Sequence, residues 1–260
     1  MYVAGIDIGS SSAKSAILED HRLVSWSVIA VKPDGSTTRE VMENSLRAIG
    51  LSLADMACIV ATGYGRELVP FSHSSVTEIS CHARGSQFFY PETRTILDMG
   101  GQDCKAIRCD ENGKVTNFVI NDKCAAGTGR YLEKVAATLE LHVADIGALS
   151  LKIVDKPVTI SSYCAVFAQN DVLLLLREGK HPNDILAGAF EAIAERIEVM
   201  LEKVGVAEDF FMSGGVAKNT GVVRRLEKRL GVRAYLAFEP QIVGAIGAAL
   251  FAQDIARKRE

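Results

Sequence analysis

The chain opens on an apolar run, Met1 to Ile6, that stops at Asp7 and a polar Gly-Ser-Ser-Ser turn, resumes over Ser15–Leu18, breaks at Asp20-His21-Arg22 and resumes over Leu23–Ile29. Short apolar runs bounded by turn residues predict strands, and three in succession with short connections predict an antiparallel meander. The same phrase returns 91 residues later. Gly5-Ile6-Asp7-Ile8-Gly9-Ser10-Ser11-Ser12-Ala13-Lys14 aligns with Ile96-Leu97-Asp98-Met99-Gly100-Gly101-Gln102-Asp103-Cys104-Lys105, so that Asp7, Gly9 and Lys14 coincide with Asp98, Gly100 and Lys105. Runs over Ala106–Arg108 and Lys114–Ile120 follow the second copy, with Asn112-Gly113 between them as a hairpin signal.

Beyond Asp122 the period becomes helical. It predicts helices over Thr128–Leu141, Val166–Arg177 and Asp184–Val204, the last placing Ile185, Ala189, Ile193, Ile197, Met200 and Val204 along one face. A strand over Phe210–Met212 runs into Ser213-Gly214-Gly215, and the small residues from Gly244 to Ala249 open a C-terminal helix able to pack closely on another helix. A duplicated meander with helices between and after the copies predicts an α/β protein of two related lobes with a cleft between them. The boundaries place residues 1–92 and about 245–260 in lobe I and 93–244 in lobe II.

Composition narrows the class. With 260 residues, 48% of them hydrophobic and only six prolines, the chain buries a substantial core. A net charge of −3 gives no electrostatic reason to expect nucleic acid or an anionic membrane as partner. No apolar run approaches the ~20 residues of a membrane-spanning helix, and the start lacks a basic, then apolar, leader, so a cytoplasmic setting with reduced thiols is expected. The six cysteines therefore call for a reading other than disulfides.

Asp7 followed by Gly9-Ser10-Ser11-Ser12, and Asp98 followed by Gly100-Gly101-Gln102-Asp103, put short turns rich in backbone N–H, hydroxyl and amide groups at strand ends. Either turn alone also reads as an ordinary β-turn; as a pair from opposite lobes they suit a polyphosphate gripped from both sides, ATP or ADP. Asp7 and Asp98 are then placed to hold hydrated Mg²⁺, and Gln102 or Asp103 to orient the attacking water. Lys14 and Lys105 either neutralise phosphate or decorate strands. Gly214, Gly215 and Ala217 offer bare backbone to an adenine ring, with Gln241 as a further nucleotide contact.

Cys124, in Asn121-Asp122-Lys123-Cys124-Ala125-Ala126-Gly127-Thr128-Gly129-Arg130, and Cys164, 40 residues on, both fall where a helix is about to begin. Helix N-termini lower thiol pKa and favour anionic ligands such as a reduced cluster. Two thiolates do not fill a four-cysteine site, but a two-fold dimer bringing both from each subunit to its axis does. Cys58, Cys81, Cys104 and Cys109 read as small buried hydrophobes.

Taken together, the two turns, Phe211–Ala217 and Val243–Ala249 resemble the five-motif pattern of the actin, sugar kinase and heat-shock ATPase superfamily over nearly the whole chain. That resemblance implies an actin-like fold of two RNase H-like lobes. More narrowly, the segment around Cys124 (Asn121–Arg130, including Gly127), Thr62-Gly63-Tyr64-Gly65-Arg66, Glu78–Ala83 and Asp98–Asp103 resemble the ATP-dependent activators of 2-hydroxyacyl-CoA dehydratases. Their family includes the ATPase subunits of benzoyl-CoA reductase and the reductases of double-cubane proteins. This implies a homodimer or related heteromer with one [4Fe-4S] cluster between subunits, Cys124 and Cys164 as its ligands, and helices that open on ATP binding. It further implies a ferredoxin or flavodoxin as electron donor and an iron–sulfur dehydratase, reductase or double-cubane protein as acceptor. Phe167-Ala168-Gln169-Asn170-Asp171 departs from the acidic Phe-Ala-Glu-Ser type of continuation, which bears on the docking partner. Two other readings stay open: a small-molecule kinase with Asp103 as base, and a nucleotide-gated assembly protein like actin.

Overall fold

The computed structural model describes residues 1–121, 128–160 and 165–259. Strands β1 (Tyr2–Ile8), β2 (Ser12–Glu19) and β3 (Arg22–Ala30) form the first meander, followed by α1 (Thr37–Arg47), β4 (Cys58–Thr62), β5 (Ser74–Ser75) and α2 (Glu78–Phe89). The second meander comprises β6 (Thr95–Met99), β7 (Cys104–Cys109) and β8 (Val115–Asn121). After it come α3 (Gly129–Thr138), α4 (Ile146–Leu149), α5 (Ala165–Arg177), α6 (Pro182–Glu202), β9 (Phe210–Ser213), α7 (Thr220–Leu230), β10 (Ala234–Leu236) and α8 (Val243–Arg257).

The two sheets have one topology. The first runs β3-β2-β1-β4-β5 and the second β8-β7-β6-β9-β10, each an antiparallel meander extended by two parallel strands. Register repeats as faithfully as sequence, because Asp7 pairs with Lys14 and Asp98 with Lys105. The expected α/β fold of two related lobes is therefore present.

Local chemistry explains where elements stop. The β2–β3 turn puts Asp20 and His21 at φ 44° and 71°, the left-handed pair that matches the twist of a two-residue hairpin. In the β7–β8 turn the Asp110 carboxylate accepts from the backbone N–H of Asn112 and of Lys114, each at 2.9 Å. Lys114 thus belongs to the turn rather than to the strand. Helix α3 ends at Thr138, three residues before the predicted Leu141, because Glu140 turns left-handed at φ 55°.

Three layers of core follow. Val41 and Met42 of α1 pack on Ile6 and Ile17, whereas Ile246 and Ala249 of α8 cover the opposite face of the first sheet against Val3 and Val60. Phe190, Ile193 and Ile197 of α6 pack with Leu97, Phe210 and Met212 of the second sheet. Helix α2 touches both halves: Cys81 joins the α8 layer, and Ile79 and Ala83 pack on Ile96, Ile107 and Phe211.

Candidate active site

The two predicted turns are built alike and meet. Gly9 N–H donates to Ser12 O at 3.1 Å, and Gly100 N–H donates to Asp103 O at 2.9 Å, the same bond at the same spacing. A Cβ on Gly101 would overlap the Ser11 hydroxyl and stand 2.8 Å from Ser11 Cβ, so the bare backbone of the second turn lies against the serine side chains of the first. The Ser11 Oγ is buried with no hydrogen-bond partner. A buried hydroxyl left unsatisfied between two glycine-rich turns is costly, and a phosphate oxygen is the kind of group that would satisfy it. Gln102 is exposed beside this meeting point.

Each motif's carboxylate is buried and paired. Lys14 Nζ lies 3.2 Å from Asp7 Oδ2, so Lys14 does not decorate the strand. Lys105, 3% exposed, reaches Asp103 Oδ2 at 2.8 Å, Asp98 Oδ2 at 3.3 Å and Glu78 Oε2 at 3.5 Å. Burial pulls its pKa down, but the carboxylates of Asp98, Glu78 and Asp103 more than offset this and hold it charged, above the ordinary lysine value. For Asp98 burial pushes the pKa up, yet His82, Lys105, Lys14 and the Ser213 hydroxyl bring it down to about 2. Glu78 goes the other way, raised chiefly by burial.

Sequence reasoning assigned no site role to Glu78, His82 or Ser213. His82 Nδ1 is 3.0 Å from Ser213 Oγ, which donates to Asp98 Oδ1 at 3.1 Å. These partners are 131 and 115 residues apart, and no local pattern announces such a pairing.

Gly214 adopts φ 84°, and a Cβ there would stand 2.7 Å from the Met99 carbonyl carbon and 2.8 Å from Asp98 Oδ1. Bare backbone is therefore required where β9 meets the second turn. Gln241 joins the remaining predicted contacts: its Nε2 is 3.5 Å from Ser12 Oγ, and its Oε1 accepts from Lys218 Nζ at 2.8 Å. Lys218, which also pairs with Glu239 at 2.7 Å, is a further residue that the motif reading passed over. A groove of about 900 Å³ adjoins this corner, lined by Ala217, Lys218, Arg224, Arg233 and Phe238 among others, and includes none of the turn residues.

The metal-site expectation rests on Cys124 and Cys164, which lie outside the described residues, as does Gly127 of the expected cofactor-binding set. Among the described residues no group of three or more His, Cys, Asp or Glu is arranged to hold a metal ion. The four described cysteines are buried and outside any disulfide. Burial raises every one of their thiols, Cys81 to about 12 and Cys109 to about 11. That environment disfavours the thiolate a cluster needs.

The BadF/BadG/BcrA/BcrD ATPase family matches this chain over residues 4–252. The chain belongs to that family. It is 42% identical to the activator of lactoyl-CoA dehydratase from Anaerotignum propionicum over all of both chains. Among solved structures, it resembles the Acidaminococcus fermentans (R)-2-hydroxyglutaryl-CoA dehydratase component A with a TM-score of 0.95 and 41% identity, covering 99% of each chain. It also resembles the activator of the 2-hydroxyisocaproyl-CoA dehydratase from Clostridium difficile with bound ADPNP, with a TM-score of 0.94 and 40% identity over 100% of this chain and 97% of that one. More distant solved structures share the fold alone. The fold of this ATPase is accordingly the actin-like one. No helix among its described residues is long and apolar enough to cross a membrane.

Proposed function

We propose that this ATPase is an activator that couples ATP binding and hydrolysis to one-electron delivery to a 2-hydroxyacyl-CoA dehydratase or a related iron–sulfur acceptor. It acts in the cytoplasm as a homodimer, with a ferredoxin or flavodoxin as donor. Cys124 and Cys164 of each copy hold one shared [4Fe-4S] cluster, the other four cysteines being buried with raised thiol pKa values. When bound, that cluster supplies the single transferable electron.

The observation that carries the coupling is a tether. The first backbone amides of α3, Gly129 N–H and Arg130 N–H, donate to Gly100 O at 2.9 Å and to Gly101 O at 3.0 Å. Helix α3 follows the segment containing Cys124 by only a few residues. Whatever displaces the second turn therefore displaces the start of that helix.

The chain's own residues divide the work. Amides and hydroxyls of Ser10, Ser11 and Ser12 on one side, and the Gly101 amide on the other, bind the phosphates, while the Gly9 and Gly100 N–H groups close the two turns on Ser12 O and Asp103 O. Two buried carboxylates, one held ionised down to pH about 2, fit a hydrated Mg²⁺ between Asp7 and Asp98. Asp103 is engaged by Lys105 at 2.8 Å, which leaves the exposed Gln102 to orient the attacking water. Gly214, Gly215, Ala217 and Gln241 receive the nucleoside. ATP shifts the equilibrium only through differential affinity for two arrangements of the tethered helix.

Anaerobic purification with iron and sulfide counted per chain tests this reading. About two irons per chain are expected, as a four-iron cluster shared by two copies requires, and Cys124→Ser or Cys164→Ser should lose them while still binding ADP. A protein that hydrolyses ATP yet stays iron-free after attempted reconstitution overturns it in favour of a kinase or an assembly ATPase. Gln102→Ala should slow hydrolysis with ATP affinity retained; undiminished hydrolysis moves water orientation to Asp103.

A further inference from the structure

Helix α2 brings two polar residues, Glu78 and His82, to the same side of Asp98. They are spaced i and i+4, so they lie one turn apart on one face. The carboxylate they approach is held from two directions. Its Oδ1 accepts from Ser213 Oγ at 3.1 Å, and that hydroxyl is contacted in turn by His82 Nδ1 at 3.0 Å. Its Oδ2 lies 3.3 Å from Lys105 Nζ, which is contacted by Glu78 Oε2 at 3.5 Å. Each oxygen of Asp98 therefore has an inner partner on the second sheet and an outer partner on α2.

Proton counting fixes the direction of the first chain. A serine hydroxyl has one proton; Ser213 spends it on Asp98, so it accepts from His82, and Nδ1 carries the proton. The other ring nitrogen and Asp7 Oδ2 both border Gly244, where a Cβ would stand 3.0 Å from His82 Nε2 and 3.2 Å from Asp7 Oδ2. The imidazole is 5% exposed, with its Nδ1 3.6 Å from Asp98 Oδ1. Asp7 has its Lys14 ion pair but, among the described residues, no outer pair of this kind, so the duplication is asymmetric in its support.

We propose that His82 and Glu78 are positioning residues of the ATPase, fixing the two oxygens of Asp98 through Ser213 and Lys105 and thereby tying α2 to the second turn. Outer partners of this kind orient the group that does the chemistry, and their loss typically costs roughly 10–100-fold in activity or metal affinity. The inference rests on the assignment of Asp98 to Mg-ATP turnover made above.

The test compares steady-state ATP hydrolysis, its Mg²⁺ dependence and the melting temperature across His82→Leu, His82→Asn, Ser213→Ala and Asp98→Asn. In His82→Leu, kcat should fall roughly 10–100-fold and more Mg²⁺ should be needed for half-maximal rate, with KM for ATP little changed. His82→Asn, whose amide N–H overlies Nδ1, should recover most of that loss. Turnover in His82→Leu within about threefold of wild type, while Asp98→Asn is inactive, overturns the positioning role and leaves the site intact. His82→Asn no more active than His82→Leu, at wild-type melting temperatures, overturns it as well. Full activity in Asp98→Asn instead sinks the underlying site assignment. Should His82→Leu not fold, Ser213→Ala removes a single oxygen from the same chain of contacts, and unaltered kcat and Mg²⁺ dependence there are equally fatal to the proposal.

Discussion

Replacing Gly247 with valine is expected to lower the melting temperature by about 6–12 °C. In α8 this glycine lies against the backbone of α2: a Cβ would stand 2.5 Å from the carbonyl carbon of Cys81 and 2.7 Å from its Cα, closer still to the carbonyl oxygen. The contact is reciprocal, since a Cβ on Gly85 of α2 would lie 2.9 Å from the Val243 carbonyl carbon and 3.1 Å from Gly247 N. Backbone meets backbone, so no side-chain rotation relieves the overlap and the helices must separate. Overpacking of flexible cores costs about 1–3 kcal/mol, and a site with nothing flexible to yield belongs at or beyond the upper end. At about 2–4 °C per kcal/mol for a chain approaching this size, that gives the stated shift. Thermal melting by circular dichroism checks it; a midpoint within about 2 °C of wild type would show that the crossing opens freely. Because α2 also carries Ile79 and Ala83 onto the second sheet, the variant should lose ATP turnover along with stability.

Asp98→Asn is expected to reduce ATP turnover roughly 100-fold or more while leaving Mg²⁺-free ADP affinity within about threefold. Asparagine keeps the shape of the side chain and removes only its charge. Lys105 retains Asp103 and Glu78 as partners, so the fold survives. Isothermal titration with ADP beside an ATPase assay separates the two effects, and hydrolysis at the wild-type rate refutes the assignment. The same carboxylate sets an acid limb of stability. Its folded pKa, about 2, lies below the ordinary 3.8, so its contribution is present above pH about 4 and is lost as the pH falls from about 4 towards 2. The full loss is roughly 2 kcal/mol. Denaturation midpoints measured between pH 5 and pH 3 should therefore fall more steeply for wild type than for Asp98→Asn.

Both meanders, their order and the two carboxylates were legible in the chain because the signals are local. A short apolar run between turn residues marks a strand, and a Gly following an Asp marks its end. The α2 helix gave no comparable signal: its sequence mixes buried Ile79, Cys81 and Ala83 with buried His82 and Ser86, so its apolar stripe is interrupted by polar residues that find partners elsewhere. The small residues from Gly244 to Ala249 did announce a close helix contact, but not that α2 was the other helix. Lys14 and Lys105 remained ambiguous on paper for a related reason, since a strand lysine points to solvent or into a cleft according to what covers that face.

By itself the sequence determined the duplication, the α/β class and the alignment of Asp7, Gly9 and Lys14 with Asp98, Gly100 and Lys105, which are local signals, and it carried the motifs by which the chain resembles its family. Only the tertiary structure decided that Ser11 faces Gly101, that Gly129 and Arg130 hang from the second turn, and that His82 and Glu78 converge on Asp98. Those contacts join segments far apart in the chain, whose proximity is set by packing of α2 and α8 between two sheets; a side chain's chemistry is written in the sequence, but its partner is chosen by the fold.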